Sequence, residues 1–177
     1  MKQTILLVFI LFLVSSCEPD KKTSELVNYY PFSITKIVNH ELNVLQNRTV
    51  NARKTVIYNN SKIEHKQISK EDIETDLKSF VEFEINKAAW QKSYAQKTIG
   101  NITIFECLEQ KLPLKKITII GDLNNPKSIN VHFYNNNNLY KSTKIIKWIP
   151  NKSYSIFSIQ DVKGMDADTL FVKTYLR

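Results

Sequence analysis

Three histidines, His40, His65 and His132, are the first candidates for metal or acid–base chemistry. Each stands alone: His40 beside Glu41, His65 beside Glu64, His132 between Val131 and Phe133. No pair has the i, i+2 or i, i+4 spacing that puts two imidazoles on one zinc ion, and HExxH, CxxC and GxSxG are missing from the sequence. They read as isolated surface or edge residues. Asp161, Asp166 and Asp168 in "QDVKGMDADTL" carry enough oxygen for Ca²⁺, but Gly164 does not stand where a calcium loop needs its glycine. A solvated turn is the expectation. Cys107, in "ITIFECLE", reads as a small buried thiol on an apolar strand position. Glu71, Asp72 and Glu74 stand where a helix first turn favours negative charge. Three glycines in the whole chain exclude a glycine-rich phosphate loop. The expectation is no catalytic residue, no metal site and no cofactor.

The second cysteine is different. Met1-Lys2 precedes ten apolar residues, Ile5 to Val14, and then Ser15-Ser16-Cys17. A positive start, an apolar run and small residues before a cleavage point are the layout of a secretory signal. Ten residues of helix reach about 15 Å, half of a hydrocarbon core of about 30 Å, so this run is too short to remain as a membrane span. Val14-Ser15-Ser16-Cys17 resembles the lipobox of bacterial lipoproteins. The resemblance implies cleavage between Ser16 and Cys17, diacylglyceryl and palmitate lipidation of the Cys17 thiol, and an outer-membrane address in the cell envelope. Two or more acyl chains anchor stably where one does not. Glu18, Pro19 and Asp20 resemble, in part, a Bacteroidetes surface-export tag, which leaves the periplasmic and surface faces both open. The expected layout is a signal peptide over 1–16, a lipidated tether over 17–30 and one domain over 31–177.

Loss of the leader removes one charge, Lys2, and lowers the net charge from +8 to +7. The excess is Lys scattered along the chain, with Arg only at 48, 53 and 177. A nucleic-acid surface would cluster such charge, so nucleic acid is not an expected partner. With Cys17 lipidated, only Cys107 is left, and no intramolecular disulfide can form. Stability must come from packing.

The elements follow from periodicity. Pro31 opens "PFSITKIVNHELNVLQN", where Ile34, Ile37, Val38, Glu41, Leu42 and Leu45 make one helical stripe with a single polar slip. "TVNARKTVIYNNSKIEHKQI" then alternates as a hairpin around Asn59-Asn60. Pairing Tyr58 with Ser61 predicts Val56 opposite Ile63 on an apolar face and Thr55 opposite Glu64 on a charged one. Ser69 and Asp72 form a capping box for a second helix, with Ile73, Leu77, Phe80, Val81 and Ala88 buried and an end near Lys87 or Trp90. From there seven short strands alternate with turns such as Gly100-Asn101, "DLNNPK" and "NNNN". The expected fold class is α+β: two helices packed on a curved, meandering antiparallel β-sheet.

The lipobox, the low glycine content, the Asn/Lys/Ile bias, "AWQKSY" and "IPNKSYSIF" together resemble the small lipoproteins of the Bacteroidetes, a resemblance that implies no particular activity. Asp168-Thr169-Leu170 also resembles the O-glycosylation sequon of exported Bacteroidetes proteins, which makes Thr169 a candidate glycan site. Tyr134, Tyr140, Trp148 and Tyr154 come from neighbouring strands and form a candidate ligand patch. The functional expectation is an envelope lipoprotein acting as a non-catalytic binding or accessory module, with the membrane held through the lipid and a protein or glycan as partner. The alternatives are an envelope hydrolase whose site carries no motif, and a structural lipoprotein that tethers the envelope.

Overall fold

The computed structural model describes residues 29–177; Ser16, Cys17, the whole leader and most of the tether lie outside the described residues. The first helix, α1 (Ile34–Gln46), starts at Ser33, whose side-chain oxygen accepts the Lys36 N–H. Pro31 lies before this cap and outside the helix, so serine chemistry rather than proline's fixed φ opens the helix. Ile34, Ile37, Val38 and Leu45 are buried, and so is the polar slip Glu41.

The hairpin forms from β1 (Ala52–Tyr58) and β2 (Lys62–Ile68), one residue out of the expected register. Tyr58 faces Lys62, Val56 faces Glu64 and Ile57 faces Ile63. Asn59 and Asn60 take φ of +47° and +55°, and Ser61 joins them in the loop while its N–H donates to the Tyr58 carbonyl. A one-residue slip sends every side chain to the other face. Ile63 accordingly emerges into solvent, 58% exposed, and β2 is exposed along all but its last residue.

The capping box at Ser69 and Asp72 forms as expected at the start of α2 (Lys70–Ser79). The helix then tightens into a 3₁₀ turn, Phe80–Phe83, and a second 3₁₀ turn covers Ala88–Trp90. With three residues per turn, Phe80 and Phe83 eclipse on one side. Phe83 is thus buried, while Val81, expected inside, is exposed.

Seven strands complete the chain: β3 (Tyr94–Ile99), β4 (Ile102–Cys107), β5 (Leu114–Gly121), β6 (Pro126–Asn136), β7 (Tyr140–Ile149), β8 (Ser153–Val162) and β9 (Asp168–Leu176). Each pairs antiparallel with the next, and β9 also pairs with β1. The result is one nine-stranded open sheet in the order β2-β1-β9-β8-β7-β6-β5-β4-β3, with β2 and β3 as its edges. The fold is α+β. Gly121 marks a register shift between β5 and β6; its φ is +98°, and a Cβ there would meet the Lys127 nitrogen at 3.1 Å.

One contiguous core gathers Phe32, Ile37, Ile73, Leu77, Phe80 and Phe83 with the sheet residues Phe105, Ile117, Ile129, Val131, Ile146, Trp148 and Tyr154. Phe80 meets Trp148 and Tyr154 edge-on at 5.3 and 5.6 Å, and Phe83 meets Phe133 at 5.7 Å. Glu84 ties the chain before α1 to the segment after α2: it accepts from Ser33 Oγ at 2.7 Å and from the Thr35 and Asn86 amides at 3.0 and 2.9 Å. Burial pushes the Glu84 carboxyl up, but these donors together outweigh it and hold the group below its ordinary range.

Candidate functional site

Alternation along each strand sends one set of side chains to the core and the other to the outer face. Strand registers align the outer set into rows. Ile145, Phe157, Phe171, Ile57 and Ile63 are successive partners across β7, β8, β9, β1 and β2, and His132 on β6 faces Ile145. At strand spacings of about 4.8 Å, the five apolar residues extend over about 19 Å. The adjacent row reads Asn130, Lys147, Ser155, Lys173, Thr55 and His65. The β6 to β9 part of these two rows forms a groove of about 570 Å³ lined by His132, Ile145, Lys147, Ser155, Phe157, Phe171 and Lys173. Ile145, Phe157 and Phe171 are half-buried. An apolar row of this length departs from the polar alternation of a sheet face turned only to water.

The core side of the same rung is apolar as well. Ile146, Ile156, Val172 and Val56 are partners across the same four strands. Four apolar doublets, Ile145-Ile146, Ile156-Phe157, Phe171-Val172 and Val56-Ile57, therefore lie side by side in the sheet. These doublets are the sequence signal for the groove, and strict alternation hides them.

The four aromatics expected as a patch are not brought together. Trp148 and Tyr154 face each other across β7 and β8, each 1% exposed, within the core. Tyr134 faces Thr143, five residues from Trp148 along β7, and an odd offset puts it on the outer face, 39% exposed. Tyr140 accepts a hydrogen bond from Asn135 Nδ2 at 3.0 Å and lines a separate, polar hollow of about 330 Å³ with Asn137, Lys141, Asp161 and Lys163.

Tyr154 has a different role. Its hydroxyl donates to Asp76 Oδ2 at 2.7 Å, and Lys54 Nζ meets the same oxygen at 2.6 Å. Burial first, then the bond to Asp76, pushes the Tyr154 phenol far above its ordinary range. The phenol is thus a fixed donor that joins β8, α2 and β1.

The acidic loop does not gather either. Asp168 Oδ1 accepts from Tyr58 Oη at 2.6 Å and from Asn59 Nδ2 at 3.0 Å, and these bonds hold its carboxyl below the usual range, with the Tyr58 hydroxyl the larger cause. Among the described residues no three His, Cys, Asp or Glu side chains come together as a metal site would need. Thr169 is half-buried on β9; its N–H donates to Asn59 Oδ1 at 2.8 Å. Cys107 lies at the end of β4, half-buried rather than fully buried, with its thiol donating to the Glu109 carbonyl at 3.2 Å. His40 and His65 are exposed, His65 with Nδ1 3.0 Å from Thr55 Oγ1. Only His132 belongs to the groove.

Comparison with protein-family models, with curated proteins and with solved structures gives no match. The groove therefore has to be read from its own chemistry. Among the described residues no helix is long and apolar enough to cross a membrane.

Proposed function

We propose that this chain is an envelope lipoprotein held at the outer membrane through lipids on Cys17, and that its domain is a non-catalytic binding module. Two helices pack on one face of a curved sheet and leave the other face to a ligand or partner. The curvature follows from strand twist accumulated over nine strands. The helix side is supported by the contacts of Phe80 and Phe83 with Trp148, Tyr154 and Phe133. The observation that carries the binding role is the apolar row Ile145–Phe157–Phe171–Ile57 on the outer face, where a sheet facing only water would alternate to polar residues. A glycan on Thr169 belongs to the same envelope reading.

The anchor is tested by cell fractionation and intact mass. Cys17→Ala is expected to leave the membrane fraction or to accumulate with residues 1–16 attached. Wild-type protein is expected to start at Cys17 and to carry acyl chains. Unchanged membrane association of a variant that has lost residues 1–16, or an unlipidated wild-type mass, defeats the anchor. Biotinylation of surface lysines on intact cells then separates the outward face from the periplasmic one.

A further inference from the structure

We infer that the outer-face groove binds a single-chain amphiphile with a carboxylate head, such as a free fatty acid. The inference rests on the binding-module reading but not on the lipid anchor. Three observations carry it.

The first is shape. The apolar row crosses Ile145, Phe157 and Phe171 before continuing to Ile57; Lys147 and Lys173 bound it on one side and Thr143 and Thr169 on the other, with Ile159 beside Phe157 on β8. That is a floor for one extended hydrocarbon chain rather than a broad plate for a protein. The groove volume of about 570 Å³ falls within the range of about 300–1,000 Å³ usual for small-molecule sites.

The second is charge. Lys147, Ser155 and Lys173 are consecutive partners on β7, β8 and β9, in the row next to the apolar one. Two ammonium groups on backbones about 10 Å apart thus flank one hydroxyl. Their methylene stems can lie along the apolar floor while the heads stay wet. From β6 to β2 neither row contains a carboxylate. The ion pairs among the described residues, Lys54–Asp76, Lys62–Glu64, Lys78–Glu74 and Lys144–Glu82, involve neither lysine. An anion is the complement this site lacks.

The third concerns the head group. Lys173 Nζ lies over the Tyr175 ring, 4.7 Å from its centroid, and so already has a favourable partner. The ring places that ammonium without neutralising it, so Lys147 and Lys173 both keep their charge on either side of Ser155, an arrangement that suits the two oxygens of one carboxylate. Ser155 donates the remaining hydrogen bond.

The test uses the full chain in membranes of the expressing cells and a diazirine-bearing dodecanoate as photoaffinity probe, with labelled peptides mapped by mass spectrometry. Label is expected on β7, β8 and β9 around Ile145, Phe157 and Phe171, and excess dodecanoate is expected to suppress it. Dodecyltrimethylammonium, with the same chain and the opposite charge, is expected to leave it. The pair Lys147→Glu and Lys173→Glu, both on the outer face, is expected to cut labelling by about tenfold or more, equivalent to about 1.4 kcal/mol. Phe157→Ala should reduce it without moving the thermal midpoint by more than a few degrees. Label that falls elsewhere, survives the charge reversals or yields equally to the cationic competitor overturns the inference. So does stronger competition by dodecyl phosphate than by dodecanoate, or a crosslinked dimer through this face that excludes the probe. A chain with acyl groups on Cys17 but no label on β7–β9 keeps the anchor and loses this site. A bare chain that labels there does the reverse.

Discussion

Replacing Trp148 and Phe157 separately by Ala tests the assignment of the two sheet faces. Trp148 is 1% exposed, is flanked by Ile129 and Tyr154 on the neighbouring strands, and has the Phe80 ring 5.3 Å away. Truncation of such a residue removes transfer free energy and leaves a cavity, with a typical cost of about 3–5 kcal/mol. In chains of about 150–250 residues each kcal/mol moves the thermal midpoint by about 2–4 °C, so Trp148→Ala should lower it by roughly 6–20 °C. Phe157 is equally large in kind but half-buried on the outer face. Full burial of a Phe side chain contributes about 1.5–3 kcal/mol, so half of that, about 1 kcal/mol, is at stake, or about 2–4 °C.

Urea unfolding of both variants, followed by far-ultraviolet circular dichroism, measures the two costs on one scale. A midpoint shift with unchanged m-value reports stability alone. The expected ratio of costs is about three or more. Equal costs would mean that Phe157 is covered in solution, and the outer face would then be an interior. A protein-concentration dependence of the Phe157→Ala cost would identify a second copy as the cover. A cost for Trp148→Ala below about 1 kcal/mol would refute the placement of the core itself.

Asp76→Ala should cost about 2–4 kcal/mol in the same assay, because it strips the shared acceptor from Tyr154 Oη and Lys54 Nζ; the remaining exposure of the pair keeps it below the fully buried limit. Lys92 holds φ at +65°, a conformation that costs a side-chain-bearing residue about 1–2 kcal/mol, so Lys92→Gly should stabilise by about 0.5–1 kcal/mol once glycine's unfolded-state entropy is counted. Glu41 is 1% exposed, accepts the Asn151 N–H at 2.7 Å through Oε2 and has no partner for Oε1 among the described residues; burial raises its carboxyl above the usual 4.5, against the lowering effect of the Asn151 bond. Between 4.5 and the raised value of the folded carboxyl the folded chain holds a proton that the unfolded chain has released, so this group's contribution to stability falls as pH rises through that interval. Wild type should lose stability relative to Glu41→Gln between acid and neutral pH, and parallel curves for the two proteins would refute the assignment.

How much of this was legible depends on which physical rule governs each element. The capping box and the first helix are local, and Ser69, Asp72 and the Ile34–Leu45 stripe reveal them directly. The seven-strand meander is legible because turn residues punctuate it. The pairing of β9 with β1 is not, since it joins residues more than a hundred positions apart that no local pattern links. The hairpin at Asn59 was foreseeable but its register was not. Whether Ser61 joins the loop or the ladder depends on a fraction of a turn, and that choice exchanges Ile63 between faces. The end of α2 was misplaced because a 3₁₀ turn changes the period under Phe80–Phe83, burying Phe83 in place of Val81. The aromatic patch failed for want of parity: residue type grouped Tyr134 with Trp148, while the offset along the strands separates them. The Cys17 anchor lies outside the described residues and stands on the sequence alone.

The groove also has to be reconciled with solubility. A row of apolar side chains on an open sheet face, ending at an edge strand, is the pattern that invites aggregation. Here the edge is guarded. β2 carries Lys62, Glu64 and Lys66 along its exposed length, and Lys62 pairs with Glu64 at 3.0 Å. The apolar row is widened only by Ile159 beside Phe157, and the row on its other side carries Lys147 and Lys173. Neighbouring strands thus interleave hydrocarbon with charge on a pitch of about 7 Å, the two-residue rise of a strand. A second apolar sheet laid on this face would bury unpaired ammonium groups, at a cost that grows with every lysine desolvated. A narrow chain with an anionic end would fill the hydrocarbon row and neutralise the charge at once. On the proposed reading, the lysines that would oppose stacking of another copy on this face are the same groups that would select its ligand. Removing their charge should loosen both controls: Lys147→Ala with Lys173→Ala is expected to weaken dodecanoate labelling and to raise self-association, measured by sedimentation velocity. A variant that loses labelling but stays as monodisperse as wild type would show that the lysines select the ligand without guarding the face.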